Sequence, residues 1–342
     1  MSATRIVNAR TLPLIVTSLL FVLLFGFGSV SYDSFFSFQV FLNLLIDNAF
    51  VTVVAIGMTF VILTGGIDLS VGSIVALTTM VTAALVEQHH WSIWTVVPLV
   101  LVMGAAFGMM MGVLIHFFKL QPFIVTLGGM FLARGLCYVI SIDSIAITDT
   151  TYADISQYRI MLGEEAFLSI SAVIALVTLA IAIYLAQYTR FGRTVYAIGG
   201  NERSALLMGL PVGQTKVLVY TLSGFCSALG GVLVTLYMLS GYGLHALGLE
   251  MDAIAAAVIG GTLLTGGVGY VAGSLVGVMI LGVIQSLIAF DGSLSSWWTR
   301  IAIGVLLCVF CLMQRLFEQG GSSLGFLFSY WKKPQGQASP AD

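Results

Sequence analysis

Charged side chains are scarce in this chain of 342 residues. Asp, Glu, Lys and Arg make up 8% of it, whereas a soluble domain carries about 25%. The 13 basic and 15 acidic residues leave a net charge of -2, which excludes the basic surface of a nucleic-acid-binding protein. Since 59% of the residues are hydrophobic, we expect membrane lipids, and no nucleic acid, around this protein.

Cysteines and catalytic motifs are also sparse. The four cysteines are too few for the disulfide framework of a small secreted domain. The four histidines lack the spacing of a zinc site, and the sequence contains no G-x-S-x-G motif. None of the four lysines follows a glycine, which excludes the phosphate-binding loop of many ATP-hydrolysing proteins. We therefore expect no catalytic residue, metal ion or cofactor in this chain.

Long apolar runs, in contrast, follow one another along the chain. A helix needs about 20 mainly apolar residues to cross a bilayer. Ten such runs lie near 12–30, 43–64, 70–86, 93–117, 122–140, 166–186, 216–240, 251–265, 271–290 and 297–314, and the third and eighth are short. The pattern predicts an all-α, polytopic membrane protein with about ten transmembrane helices.

The positions of Lys and Arg predict the orientation, because basic residues accumulate in cytoplasmic loops. Arg5 and Arg10 precede the first span, so we expect both termini in the cytoplasm. The loops that would share this side contain Lys119, Arg190, Arg193, Arg203, Lys216, Arg315, Lys332 and Lys333. The loops of the other side, 31–42, 87–92, 141–165, 241–250 and 291–296, contain a single basic residue, Arg159.

The chain therefore divides into three parts. Residues 1–11 form a cytoplasmic N-terminus, and residues 12–316 form a transmembrane domain with long loops at 141–165 outside and 188–215 in the cytoplasm. Residues 317–342 are rich in Gly, Ser, Gln and Pro, and we expect a disordered cytoplasmic tail there.

An internal repeat relates two distant pairs of spans. The run LTGGIDLSVGSIV at 63–75 recurs as LTGGVGYVAGSLV at 264–276, with seven of 13 positions identical. Each copy ends one apolar run and begins the next, and six spans separate the copies, which predicts a parallel repeat. The paired glycines either interrupt helices at membrane depth, as in a transport path, or form tight cytoplasmic turns.

Polar residues within the spans are candidates for a translocation path, because burying a charge in hydrocarbon is costly. Arg134 lies twelve residues beyond Pro122, so it either reaches the outer interface or pairs with a carboxylate such as Asp47, Asp68 or Asp252. The candidate path consists of Asn43, Asp47, Asn48, Thr64, Gly65, Gly66, Asp68, Arg134, Glu250 and Asp252.

The cytoplasmic loop 188–215 carries the clearest local signals. Asn201 is a favourable N-cap for a short helix that begins with Glu202 and Arg203, and Gly209 would end it. A short helix between glycines at the cytoplasmic surface either docks a soluble protein or packs on the protein's own helices.

This loop resembles the coupling loop of ABC permeases that import ribose, xylose and galactose. The matching residues are Arg190, Phe191, Gly192, Arg193, Tyr196, Ala197, Ile198, Gly199, Gly200, Asn201, Ala205, Met208 and Gly209. The runs GGIDLSVGS at 65–73, QPFIVTL at 121–127 and LEMDAIAA at 249–256 resemble the same family and follow in its order. The run FDGSLSSWWTRIAIG at 290–304 is most similar to a galactofuranose permease subunit.

The resemblance implies the permease subunit of a sugar importer in the bacterial inner membrane. A partner ATPase would bind the coupling loop and use ATP and Mg²⁺, and a periplasmic sugar-binding protein would dock on the outer loops. A second, non-identical permease would complete the path. Alternating access would then carry galactofuranose or a related monosaccharide into the cell.

Two other functions remain open on the residues alone. A secondary carrier driven by an ion gradient would use embedded carboxylates such as Asp47, Asp68 and Asp252, although it would not need a docking loop. A membrane receptor that docks a partner and transports nothing would not need helices interrupted by glycine.

Overall fold

The fold is a bundle of helices with short strands at one end. A computed structural model describes residues 12–32, 35–163, 166–295 and 297–318. The N-terminal segment 1–11 and the tail from residue 319 onwards lie outside the described residues. The predicted all-α, polytopic fold class is confirmed.

The secondary structure of the described ranges is as follows. The helices are α1 (Leu12–Ser31), α2 (Phe38–Asp47), α3 (Ala49–Leu63), α4 (Val71–Ala83), α5 (Ile93–Phe117), α6 (Pro122–Ile140), α7 (Thr150–Gln157), α8 (Ile170–Tyr188), α9 (Arg190–Gly200), α10 (Glu202–Leu207), α11 (Val212–Met238), α12 (Leu249–Ile259), α13 (Val271–Asp291) and α14 (Trp297–Glu318). A π-helical turn, Ala84–Gln88, extends α4. Strand β1 (Ile145–Ala146) pairs antiparallel with β4 (Ser240–Gly241), and β2 (Arg159–Met161) pairs antiparallel with β3 (Phe167–Ser169).

The predicted spans correspond to these helices, with one exception in length. Within the described ranges, eight helices are long and apolar enough to cross a membrane, or nine if α2 and α3, which meet at 57°, form one bent span. The predicted run 251–265 is instead α12, a helix of 11 residues. At 1.5 Å per residue α12 is about 16 Å long, roughly half of the hydrocarbon thickness.

The centre of the bundle consists of α3 and α4, whose side chains are almost all buried. Helix α11 packs against α3, α4 and α5. Gly104, Gly108 and Gly112 are spaced four apart on α5 and face α11, where an added Cβ would collide with backbone or side-chain atoms. These glycines thus allow α5 and α11 to approach closely, and helix packing in lipid depends on such close approach.

Basic residues gather at one end of the bundle. Lys119 from the turn between α5 and α6, Arg203 from α10 and Lys216 from α11 line a single cavity. Helix α1 begins and α14 ends at the same end, because Thr17 and Gln314 both donate to carbonyls at the end of α12. We call this the basic end. That it faces the cytoplasm stays a prediction of the loop charges.

Residues 141–163, the described part of the predicted outer loop, belong to a packed layer at the opposite end of the bundle, the predicted outer end. Tyr152 on α7 is completely buried, and its hydroxyl group is hydrogen-bonded to that of Thr235 on α11. The Glu87 carboxylate accepts hydrogen bonds from the backbone amide and the hydroxyl of Thr148, at 2.8 and 2.6 Å. These contacts fix the outer loop on the spans beneath it.

Candidate functional site

The two copies of the repeat lie against each other. The first break, 64–70, joins α3 to α4, and the second, 260–270, joins α12 to α13. The amide of Gly267 donates to the carbonyl of Leu63 at 3.0 Å, so the second break closes on the end of α3. Gly266 and Gly267 have φ of 86° and 75°, in the left-handed region that favours glycine. Both breaks therefore lie at the basic end, as a parallel repeat requires.

The first break begins at the surface of the basic end and enters the bundle. The Thr64 hydroxyl donates to the Val61 carbonyl at 2.8 Å, and Gly65 is exposed with φ of 78°. Gly66 is buried beside the hydroxyl of Tyr220. Tyr220 lies eight residues, or about 12 Å, from the start of α11. The break is thus an interruption that reaches into the bundle, rather than a tight turn confined to its surface.

Asp68 is a completely buried carboxylate at the inner end of this break. It accepts hydrogen bonds from the amide and hydroxyl of Ser70, at 3.0 and 2.6 Å, and from the hydroxyl of Ser223 at 2.7 Å. Among the residues that the structure describes, no Lys, Arg or His lies within ion-pair distance of Asp68. Three donors therefore stabilise the carboxylate, and the bond to Ser223 ties the first break to α11.

Helix α9 lies against the end of α3, just before the first break, and against the second break. The ring of Phe191 is 5.9 Å from the ring of Phe60 on α3, measured between centroids. The Tyr196 hydroxyl donates to the carbonyl of Gly269 in the second break at 2.9 Å. Burial raises the pKa of Tyr196 to about 12, so the hydroxyl stays protonated and remains a donor at neutral pH.

The closest contact between α9 and the breaks is made by backbone. An added Cβ at Gly199 would collide with the carbonyl of Leu63 and the amide of Gly267. Gly192 has a similar role at the other end of α9, where it packs on the carbonyl of Ala186. Beside Gly199, a cavity of about 880 Å³ opens between α8, α9 and the second break.

Helix α10 has the ends that the sequence predicts. The Asn201 side chain accepts a hydrogen bond from the amide of Ser204 at 2.8 Å, and Gly209 follows the helix with φ of 75°. Ala205 is completely buried, whereas the side chains of Leu206, Leu207 and Met208 are 65%, 88% and 67% exposed. Three large apolar side chains are therefore presented at the basic end.

All nine predicted coupling residues lie on α9, on α10 or directly beside them. Those that face the protein are Phe191, Gly192, Tyr196, Gly199 and Ala205. Those that are exposed are Arg190, Gly200, Asn201 and Gly209.

A second polar region lies where α12 begins. The segment 239–248 before α12 is largely unwound, and Leu239, Ala246 and Gly248 have left-handed φ of 49°, 56° and 83°. The segment follows α4, since Gly241 packs on Thr79 and Ala246 lies against Gly72. This span is therefore half unwound and half helical, and α12 starts beside the first turn of α4. Broken spans of this kind mark binding sites in transporters.

Arg134 on α6 is bound to this unwound segment. One of its guanidinium nitrogens donates to the carbonyls of Gly243 and His245, the latter at 3.0 Å. Within the described ranges Arg134 forms no ion pair, so the predicted pairing with Asp47, Asp68 or Asp252 is wrong. Carbonyls freed by the unwinding take the place of the expected carboxylate.

The acidic residues of α12 meet a different arginine. Arg300 on α14 donates to both carboxylate oxygens of Asp252, at 2.8 and 3.0 Å. Glu250 lies against Gly72 of α4. Arg300 is not among the predicted path residues. It could have been predicted by the signal that indicated Arg134, because both are charged residues within apolar runs.

The three polar residues of the second predicted span are not brought together with either region. Asn43 accepts a hydrogen bond from the Gln39 side chain at 2.7 Å, and Asp47 accepts one from the hydroxyl of Tyr237 at 3.2 Å. Asn48 is buried at the bend between α2 and α3, where it packs on Gly282. The candidate path residues thus fall into three separate groups. No set of His, Cys, Asp and Glu in the described ranges is arranged to hold a metal ion.

Known proteins share this sequence pattern. The family model described as branched-chain amino acid transport system / permease component matches residues 40–311. The chain is 48% identical to the inner membrane ABC transporter permease protein YjfF of Escherichia coli (strain K12), over 90% of this chain and 92% of the relative. It is 37% identical to the fructose import permease protein FruG of Bifidobacterium longum, over 90% and 92% of the two chains. It is 38% identical to the ribose import permease protein RbsC of Haemophilus influenzae, over 84% and 88%.

No solved structure matches the chain significantly. The family match covers most of the chain, and the relatives are ABC permeases, which are transport components without an ATPase site of their own. The spans and these relatives place the chain in the inner membrane. The chain belongs to the family of sugar-importing ABC transporter permeases.

Proposed function

We propose that this chain is a permease subunit that imports galactofuranose or a related monosaccharide, driven by ATP hydrolysis in a partner ATPase. The names of the relatives, which include fructose, ribose and L-arabinose permeases, support a monosaccharide as the substrate. The resemblance of the run 290–304 to galactofuranose permeases supports that sugar among them. A periplasmic binding protein delivers the sugar and sets most of the selectivity.

The observation that carries the mechanism is the contact of α9 with the end of α3 and with the second break. The ATPase binds the exposed side chains of α10, and its closure on ATP and Mg²⁺ moves α9. Through Gly199 this motion reaches the end of α3 and Gly267 of the second break at once. Backbone atoms in contact cannot move apart by a change of side-chain rotamer. The pair of α3 and α4 and the pair of α12 and α13 therefore tilt together, and the path opens at the other end of the bundle.

The sugar passes between this chain and a second, non-identical permease. Leu244, Leu247 and Met251 are exposed on the unwound segment and on α12. This apolar surface faces the second permease, and Arg134 and the ion pair of Asp252, which hold the same segments, supply the polar groups on this side of the path. The binding protein docks on the outer end, where the loop 141–165 carries five acidic residues and one arginine.

Purification of the tagged chain in mild detergent, followed by mass spectrometry, tests the assembly. We expect an ATPase and a second permease in comparable amounts. Leu207→Glu places a charge on α10 and should release the ATPase, whereas Leu162→Glu, on an exposed leucine of the outer loop, should retain it. Retention of the ATPase by the Leu207 variant would contradict the docking role of α10.

Uptake into proteoliposomes that contain the purified assembly and the binding protein tests the substrate. We expect uptake of labelled galactose that requires ATP and is inhibited by a galactofuranoside more strongly than by ribose. Uptake by the chain alone that stops when a proton or sodium gradient is dissipated would identify an ion-driven carrier and overturn the proposal.

A further inference from the structure

Two adjoining cavities at the basic end take no part in the contact between α9 and the breaks. The first has about 680 Å³ and is lined by the α5–α6 turn, α10 and the start of α11, with the side chains of His116, Lys119, Glu202, Arg203 and Lys216. The second has about 680 Å³ and lies between α5 and α11, with the side chains of Val113, Phe117, Leu210, Val217 and Leu218. His116, Leu206 and Val212 line both cavities, which together form one groove.

The charges in the first cavity are not balanced. Lys216 is paired with Glu202 at 2.7 Å. Lys119 and Arg203 face the same cavity, and no carboxylate in the described part of the chain lies within 4.0 Å of them. Lys119 is also held at a φ of 53°, an uncommon conformation for a residue with a side chain. Two unpaired cations beside an ion pair are complementary to an anion.

The second cavity has the opposite character. Most of its lining is apolar and comes from α5, from α11 and from the turn before α11, and Phe117 and Leu218 are largely exposed. It shares residues with the basic cavity, and α5 and α11 are both long and apolar enough to span the membrane. A groove that is cationic at the headgroup level and apolar at acyl-chain depth has the charge pattern of a phospholipid.

We propose that this groove binds an anionic phospholipid. Its phosphate lies between Lys119 and Arg203, beside the pair of Lys216 and Glu202, and one acyl chain follows Phe117 and Leu218. A free phosphate would leave the apolar half of the groove uncovered, and the exposed side chains of Phe117 and Leu218, on helices long and apolar enough to span the membrane, favour an acyl chain there. Because α10 forms one wall through Leu206, the lipid fixes the position of the short exposed helix relative to α5.

Native mass spectrometry of the full chain, extracted in a neutral detergent and titrated with phosphatidylglycerol, tests the proposal. Lys119→Gln and Arg203→Gln should each weaken phosphatidylglycerol binding about fivefold, since a basic residue at the headgroup level contributes about that factor. Arg193→Gln removes a charge from the neighbouring cavity at the same end and should leave binding unchanged. Equal binding by wild type and both groove variants would overturn the proposal.

The apolar half is tested separately. Leu218→Gln should weaken phosphatidylglycerol binding, whereas Leu99→Gln, at a similarly exposed leucine on α5 outside the groove, should not. Glycerol phosphate and inorganic phosphate should compete poorly, and phosphatidylcholine should bind more weakly than phosphatidylglycerol. Displacement of the lipid by inorganic phosphate would identify a phosphate site. Equal binding of phosphatidylcholine and phosphatidylglycerol would exclude recognition of charge. Loss of the lipid when the ATPase is added would assign the groove to a protein interface. Each of these results would overturn the proposal.

Discussion

The two polar regions of this bundle are held together in different ways. At the basic end, α9 meets the end of α3 and the second break through backbone atoms, with Gly199 against Leu63 and Gly267. Where α12 begins, long side chains make the contacts, from Arg134 to two carbonyls and from Arg300 to Asp252. Backbone contacts keep their distances, whereas side chains change rotamer and exchange partners. The first region is suited to transmitting movement and the second to rearranging as a solute passes.

The difference also predicts how sensitive each region is to substitution. A glycine contact between backbones has no free volume, so one methyl group forces helices apart. A partly exposed ion pair contributes little to stability, because solvent screens it in either state. Substitutions of the buried glycines should therefore have larger effects on folding and transport than substitutions of the ion pair.

Gly199→Ala should produce the largest loss. The added Cβ collides with backbone atoms of Leu63 and Gly267, which no rotamer change relieves, and we expect destabilisation of about 1–3 kcal/mol. Uptake should fall at least tenfold, because α9 is displaced from the end of α3 and from the second break. Thermal unfolding in detergent and ATP-dependent uptake in proteoliposomes measure the two effects.

Gly200→Ala is the matched control for stability. The same methyl group at Gly200 would meet nothing within 4 Å, so this variant should unfold at the wild-type temperature. Equal unfolding temperatures for the Gly199 and Gly200 variants would show that the backbone contact does not exist, and the contrast between the two regions would fail.

Arg134→Met should have a smaller effect. It leaves the carbonyls of Gly243 and His245 without a charged donor. Because both carbonyls belong to an unwound segment that can shift towards water or another donor, the net loss should be near that of one ordinary hydrogen bond, about 0.5–1.5 kcal/mol. We expect a lower unfolding temperature than the wild type, but a higher one than for the Gly199 variant.

Arg134→Lys is the informative companion variant. A lysine ammonium can reach one of the two carbonyls, so stability and uptake should lie between those of the wild type and the methionine variant. If lysine and methionine behaved alike, the geometry of the guanidinium group rather than its charge would be responsible for holding the segment.

The local signals in the sequence predicted the basic end better than the α12 region. Asn201 and Gly209 identify the ends of α10 because capping depends on residue type at fixed positions. The paired glycines indicate the breaks because few other residues adopt a positive φ. The meeting of α9 with the end of α3 and the second break has no such signal, since it depends on the packing of segments far apart in the sequence.

The packing of the unwound segment could not be predicted by hydropathy. The sequence predicts an outer loop at 241–250, whereas Gly241 and Ala246 of that loop pack on Thr79 and Gly72 of α4. Its residues are mostly apolar or glycine, and this composition does not indicate which helix they contact. Of the two alternatives for Arg134, neither included the backbone carbonyls that it binds, because carbonyls have no residue-type signature in the sequence. Asn48 likewise gives no indication that the second span bends by 57° at its position.

The ion pair of Asp252 and Arg300 should be the least important of these contacts for stability. A double-mutant cycle with Asp252→Asn and Arg300→Gln should give a coupling energy of about 0–1 kcal/mol, because half of the Arg300 side chain is exposed. The cycle of Glu202→Gln with Lys216→Gln at the basic end provides a reference for a pair of similar length, 2.7 Å. The two ion pairs should differ in their effect on transport, although they contribute similarly to stability. The Asp252 and Arg300 variants should alter the KM for the sugar, since this pair borders the broken span. A KM that stays constant in both variants would show that the pair is not part of the path.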